Sequence, residues 1–209
     1  MHIKDFIGKR VHMIGIGGSS MSGLAEMLKR KGFIVTGSDS SESHAAEKLR
    51  LINIPVAVGH HPEIIEGSDL IVFSAAIHED DPERLRAKEL NIPQMERAVL
   101  LGQLMQGYGE RICVCGTHGK TTTGAMISQV LLNLGLDPTV HLGGRLDSIG
   151  GSTRSGANDF FVAEACEFNR SFLNMSPSIA LLLNIEQDHM DTYGTMENLE
   201  QAFFDFLSL

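Results

Sequence analysis

Apolar and polar positions along this chain alternate between two rhythms. Val11-His12-Met13-Ile14-Gly15-Ile16 is an apolar run short enough for a buried strand. Gly15, Gly17 and Gly18 break it, and Met21, Leu24, Ala25 and Leu28 then follow at helical spacing. Gly32 stands where a helix ends. Residues 33–36 predict a second strand, running to Ser38-Asp39. A helix over 45–51, strands at 55–58 and 70–73, and a helix over 82–90 extend the series. Such alternation implies a parallel sheet with helices on its faces. Residues 96–106 predict one more helix, and Gly107-Tyr108-Gly109 a break.

The rhythm then restarts. A strand over 111–115 runs into Gly116-Thr117-His118-Gly119-Lys120-Thr121-Thr122-Thr123. A helix follows through Met126, Ile127, Val130, Leu131 and Leu134 and stops at Gly135. Strands are expected at 139–142, 160–165 and 179–184, and a last helix at 197–207. The fold class is therefore α/β. A Rossmann-like parallel-sheet domain over 1–107 precedes the start of a P-loop-type ATP-binding domain over 108–209. Four strands are few for a finished nucleotide-binding domain, and Phe203, Phe204, Phe206 and Leu207 leave apolar surface uncovered at the end. The expectation is a fragment of a longer protein.

Composition narrows the function classes. The 209 residues carry 17 Lys and Arg against 26 Asp and Glu, a formal charge of −9. That balance speaks against a nucleic-acid partner. It also requires anionic ligands to be held by local devices such as helix N-termini and single lysines. Three cysteines are too few for a disulfide framework, and Cys113-Val114-Cys115 has the wrong spacing for a zinc or redox site. They read as strand core. No apolar run is long enough to span a bilayer and no leader pattern opens the chain, so neither membrane nor export is expected, and the default is the cytoplasm.

Two loops and an acidic cluster carry the chemistry. Residues 116–121 form a G-x-x-G-K-T phosphate loop between a strand and a helix, shorter than the common form. Glycines let amides approach phosphate oxygens, Lys120 reaches the β/γ-phosphates, and Thr121 offers a hydroxyl to Mg²⁺. The first loop, Gly15-Ile16-Gly17-Gly18-Ser19-Ser20, resembles a dinucleotide fingerprint with Ser20 in place of the third glycine, and Asp39 lies where an acid meets a ribose. Alone it fits NAD, FAD, a UDP-sugar pyrophosphate or a tight turn. Glu164 and Glu167 flank Cys166 at one strand end, and Asn184 to Asp191 follow the next. Parallel strands bring both ends to the edge beside the phosphate loop, a setting for Mg²⁺ and phosphoryl transfer. His60, His61 and His78 show no partner pattern and read as surface or loop histidines.

Residues 15–25 (GIGGSSMSGLA), 116–123 (GTHGKTTT), 164–173 (EACEFNRSFL) and 184–193 (NIEQDHMDTY) together resemble the Mur ligase family of bacterial cell-wall synthesis, over essentially the whole chain. Within it they look most like the members that add L-alanine to UDP-N-acetylmuramate. The resemblance implies ATP and Mg²⁺, and an acyl phosphate on the muramyl carboxylate that the alanine amine attacks. It implies catalytic roles for Lys120, Glu164 and His189, with Thr121, Glu164 and His189 as metal ligands. Gly116, Thr117, His118, Gly119, Lys120, Thr121, Thr122 and Asn184 would hold ATP. Gly15, Gly17, Gly18, Ser19, Asp39 and Ser74 would hold the UDP-sugar. Cys166 stands where an Asp is common and Ser20 where a glycine is usual. The fragment is expected to be inactive alone as a ligase. A ligase that attaches a recycled peptide to the same UDP-sugar is the neighbouring alternative, and a non-catalytic UDP-sugar-binding module is another. A nicotinamide dehydrogenase is disfavoured, since nothing resembles a hydride-transfer site.

Overall fold

β1 (Arg10–Ile14) sits at the centre of the first sheet because its side chains from Val11 to Ile14 are fully buried. The computed structural model describes residues 1–209, which fall into two units, Met1–Leu100 and Leu101–Leu209. In the first, β2 (Ile34–Asp39), β3 (Val56–Val58), β4 (Leu70–Phe73) and β5 (Gln94–Glu96) join β1 in the order β3-β2-β1-β4-β5. Every pairing is parallel. Each return to the start of the next strand needs a crossover, supplied by α1 (Ser19–Arg30), α2 (His44–Leu51), a 3-10 turn at Pro62–Ile65 and α3 (Pro82–Glu89). α1 buries Met21, Leu24, Ala25, Met27 and Leu28 on one face and ends in Lys29 and Arg30, which suit the negative end of its dipole. α3 opens on Asp81, whose carboxylate accepts from the Glu83 and Arg84 amides, with Pro82 in its first turn.

One polar network is buried in this unit. His12 lies mid-strand in β1 with no exposed surface. Its Nδ1 is 3.0 Å from Thr36 Oγ1 and its Nε2 3.1 Å from Glu83 Oε2. Ser38 Oγ donates to the same carboxylate oxygen at 2.7 Å, and the His61 amide donates to Oε1 at 3.1 Å. Burial pushes the Glu83 carboxyl up, but the His12 and Ser38 hydrogen bonds, the His12 charge and the His61 amide outweigh it and hold the pKa below its ordinary value. His60 lies in a loop, as expected, with Nδ1 3.0 Å from Asp81 Oδ2.

The second unit has five strands where four were expected. β6 (Glu110–Cys115), β7 (Thr139–Leu146), β8 (Gly151–Arg154), β9 (Phe160–Glu164) and β10 (Ile179–Leu182) run in the order β10-β6-β9-β7-β8. β8 pairs antiparallel with β7 and prolongs it past residue 142; the polar sequence of β8 gave no strand signal. α5 (Lys120–Asn133), α6 (Met190–Tyr193) and α7 (Met196–Leu207) complete the unit. The terminal aromatics are partly covered after all. Phe203 and Phe206 are fully buried around Phe172, at ring-centroid distances of 5.3 and 4.9 Å, while Phe204 and Leu207 stay exposed. Cys113 and Cys115 are buried on β6, and desolvation pushes both thiols up to about 12, which fits core side chains.

The two compact units divide inside a helix, a few residues before the sequence break at 107. α4 (Arg97–Met105) continues across the division at Leu100–Leu101. Its later turn belongs to the second unit: a Cβ on Gly102 would stand 1.8 Å from the Asn174 carbonyl oxygen, so only glycine permits that approach. No helix is long and apolar enough to cross a membrane.

Replacing Glu83 by Ala strands the His12, Ser38 and His61 donors. It is expected to cost at least about 3 kcal/mol at pH 7, read as a lower urea midpoint. The folded carboxyl titrates below the unfolded value of 4.5, so its contribution is complete above that value and is lost as pH falls through the lower folded pKa. The gap between wild type and Glu83→Ala should therefore narrow in acid. A gap unchanged between pH 7 and pH 3 would contradict this.

Candidate nucleotide and cation site

The phosphate loop lies between the end of β6 at Cys115 and the start of α5 at Lys120. Gly116 and Gly119 adopt φ of +128° and +84°, in or near the left-handed region closed to most side chains. Gly119 caps α5 without a side-chain hydrogen bond, so the first amides of α5 keep the donor capacity that binds anions. The loop is fastened to the end of β10. The Thr117 amide donates to the Asn184 carbonyl at 3.1 Å, and Thr117 Oγ1 accepts from the Glu186 amide at 2.8 Å. The Asn184 side chain accepts from the His118 amide at 2.8 Å and donates to its carbonyl at 3.1 Å. Thr122 is exposed in the first turn of α5.

Lys120 and Thr121 point to different carboxylates. Lys120 Nζ donates to the Gly116 carbonyl at 2.6 Å, to Thr117 at 3.1 Å and to Glu167 Oε1 at 3.0 Å. It also lies 3.0 Å from Glu167 Oε2, which is buried and has no aligned hydrogen bond. Tyr193 donates its hydroxyl to the Glu167 carbonyl. Desolvation and the nearby Glu167 charge push that phenol up to about 12, so it stays a donor. Thr121 Oγ1 donates to Glu164 Oε2 at 2.6 Å. Hydroxyl and carboxylate oxygens side by side are the hard donors that suit Mg²⁺.

His189 stands with Glu167 and Asp188, and their ligating atoms lie within 4.8 Å of one another. Its Nε2 is 3.9 Å from Glu167 Oε1, and its ring meets Phe168 edge-on at 5.1 Å. Thr121 and Glu164 form one pair, and His189, expected at a second ion, belongs to a group with Glu167 and Asp188. Imidazole is a softer donor than Mg²⁺ prefers, so the Thr121–Glu164 pair fits that ion better. The backbone here is strained. Asn169, Arg170 and His189 all adopt positive φ, a cost on the order of 1–2 kcal/mol each for residues with a Cβ. Glu167 was visible in the sequence as an acid beside Cys166, but nothing local marked it as the partner of Lys120.

The first glycine loop is built separately, in the first unit. Gly15 has φ of +76°, and the Gly15 and Ile16 amides donate to the Ser38 carbonyl at 2.8 and 3.0 Å. The Gly17 amide donates to Asp39 Oδ2 at 2.8 Å, so Asp39 braces the loop. Gly18 and Ser19 lead into α1, and Ser74 Oγ lies 3.8 Å from where a Gly15 Cβ would be. Arg97 Nη1 donates to Ser20 Oγ at 3.0 Å and adds a cation beside the loop that no sequence motif announced.

The profile described as Mur ligase family, catalytic domain, matches residues 10–109, and that of the Mur ligase middle domain matches residues 114–209. The chain belongs to the Mur ligase family. The UDP-N-acetylmuramate–L-alanine ligase of Acetivibrio thermocellus is 51% identical over 201 residues, covering 96% of this chain and 43% of the relative. The crystal structure of UDP-N-acetylmuramate-alanine ligase from Thermotoga maritima superposes with a TM-score of 0.88 at 33% identity, over 95% of this chain and 46% of that one. The UDP-N-acetylmuramate:L-alanyl-gamma-D-glutamyl-meso-diaminopimelate ligase from Neisseria meningitides gives 0.86 at 27% identity, over 96% and 68%. This Mur ligase chain thus spans less than half the length of the curated relatives it matches.

Gly116 is the most demanding position of the Mur ligase phosphate loop. A Cβ there would meet the Asn184 carbonyl at 2.9 Å, at a backbone angle side chains avoid. Gly116→Ala is expected to cost about 1–3 kcal/mol of stability. Thermal unfolding checks this; a wild-type melting temperature would contradict the loop's rigidity.

Proposed function

We propose that this chain holds the UDP-sugar and ATP for a ligase that joins L-alanine to the carboxylate of UDP-N-acetylmuramate, in cytoplasmic synthesis of peptidoglycan precursors. The observation that carries the reading is the convergence of Lys120, Thr121 and Glu164 on one phosphate loop. The relatives named for that ligation are more than twice as long, at 43–44% coverage, so the complete reaction is proposed for a chain of their length.

The division of labour follows the two loops. Gly15, Gly17, Gly18 and Ser19 take the UDP pyrophosphate on the α1 N-terminus, with Asp39 and Ser74 at the nucleoside. Gly116 to Gly119 and the first amides of α5 take the ATP phosphates, with Thr122 and Asn184 at the loop's margins. Thr121 and Glu164 hold Mg²⁺, and His189, grouped with Glu167 and Asp188, reaches a second ion. Mg²⁺ supplies charge neutralisation on the phosphates. Lys120 exchanges its Glu167 and carbonyl partners for phosphate oxygens and stabilises charge as the γ-phosphoryl group moves to the muramyl carboxylate. That carboxylate is a poor electrophile; as an acyl phosphate it gains a leaving group, and the alanine amine displaces phosphate to form the amide. The chain's contribution is positioning and electrostatics.

A second reading, the peptide ligase of cell-wall recycling, rests on the likeness to the Neisseria enzyme, whose TM-score of 0.86 is close to the 0.88 of the alanine ligase. Comparing L-alanine with a tripeptide as acceptor in the full-length protein separates the two.

Calorimetry of this chain is expected to show binding of UDP-N-acetylmuramate and not of NAD, and binding of ATP that Lys120→Ala weakens at least tenfold while leaving the UDP-sugar untouched. Binding of NAD alone would overturn the reading at the first loop. ATP affinity unchanged by Lys120→Ala would overturn it at the second.

A further inference from the structure

β7 leaves its pairing with β9 after His141–Ala163. Two residues later the Gly143 amide donates to the Glu164 side chain, at 2.8 Å from Oε2. The same oxygen accepts from Thr121 Oγ1 at 2.6 Å. The carboxylate is therefore held from two sides, by the first turn of α5 and by β7, and Oε1 carries neither of these bonds. The space is equally specific. A Cβ on Gly143 would fall 2.8 Å from Oε2, 2.9 Å from Oε1 and 3.1 Å from Cδ of Glu164. A Cβ on Gly144 would fall 3.0 Å from the Thr121 methyl. Neither glycine adopts a left-handed backbone, so conformation does not call for glycine at either place. The volume occupied by Glu164 and Thr121 does. Gly151, at the far side of the same hairpin, meets nothing closer than 3.9 Å.

We propose that Gly143 is a positioning residue for Glu164: its amide fixes the carboxylate beside Thr121, and its missing side chain leaves the room in which the carboxylate turns Oε1 toward the divalent cation of a nucleoside triphosphate. This rests on the assignment of that cation to Thr121 and Glu164. Donors that orient a ligating carboxylate typically change metal affinity 10–100-fold. A methyl group at 143 does more than remove the orientation, because the whole carboxyl must move to admit it.

The test is the factor by which Mg²⁺ raises ATP affinity, measured by titration with and without the ion. It is measured in wild type, Gly143→Ala, Glu164→Ala, the Gly143→Ala/Glu164→Ala double variant and Gly151→Ala. Gly143→Ala is expected to lower the Mg²⁺ factor about tenfold or more and to leave Mg²⁺-free ATP affinity unchanged. Gly151→Ala should match wild type. In the Glu164→Ala background the added methyl has nothing to displace, so the double variant should match Glu164→Ala alone, and any melting-temperature loss caused by Gly143→Ala should be regained there. A wild-type Mg²⁺ factor in Gly143→Ala, a loss that persists without Glu164, or a fall in Mg²⁺-free affinity would each overturn the role of Gly143. A Glu164→Ala variant indistinguishable from wild type would instead remove the cation assignment, and this inference with it.

Discussion

Parallel pairing of β6 with β9 on one side and β10 on the other is the constraint from which the phosphate site follows. Parallel strands finish at the same edge, so the loop after β6, Glu164 at the end of β9 and Asn184 just past β10 meet there although they are distant in sequence. An antiparallel placement of either neighbour would send its carboxylate or amide to the opposite edge. β8 can be antiparallel without consequence because it contributes nothing to that edge.

The electrostatics of that edge are organised against the overall field. The chain carries a formal charge of −9, and Glu164, Glu167, Glu186 and Asp188 crowd the loop. What offsets them is local: the amides of a helix start, one lysine paired with one buried carboxylate, and a backbone amide donated to a carboxyl oxygen. The first unit handles its buried charge in the same way, with Glu83 saturated by donors from β1, β2 and the loop at His61.

The glycine loops, most strands and the family were legible because strand, glycine turn and amphipathic helix are local patterns. What escaped was long-range. Glu83 sits in a helix of charged residues and looks solvated; only the fold carries it to His12. A histidine centred in an apolar strand was the available signal, since a buried imidazole needs partners. β8 is polar and paired on one side only, so it lacks the apolar run that marks a core strand. His189 reads as a ligand of a second ion, but its grouping with Glu167, set by a positive-φ backbone, has no signature in residue spacing.

The staple from Asn184 to His118 spans 66 residues. The loop it secures is among the first parts of the second unit to be synthesised, and its fastening among the last. Contacts that close so long a stretch of chain form late in folding, after local helices and hairpins. The phosphate loop of a nascent chain therefore stays unshaped until β10 has docked against β6.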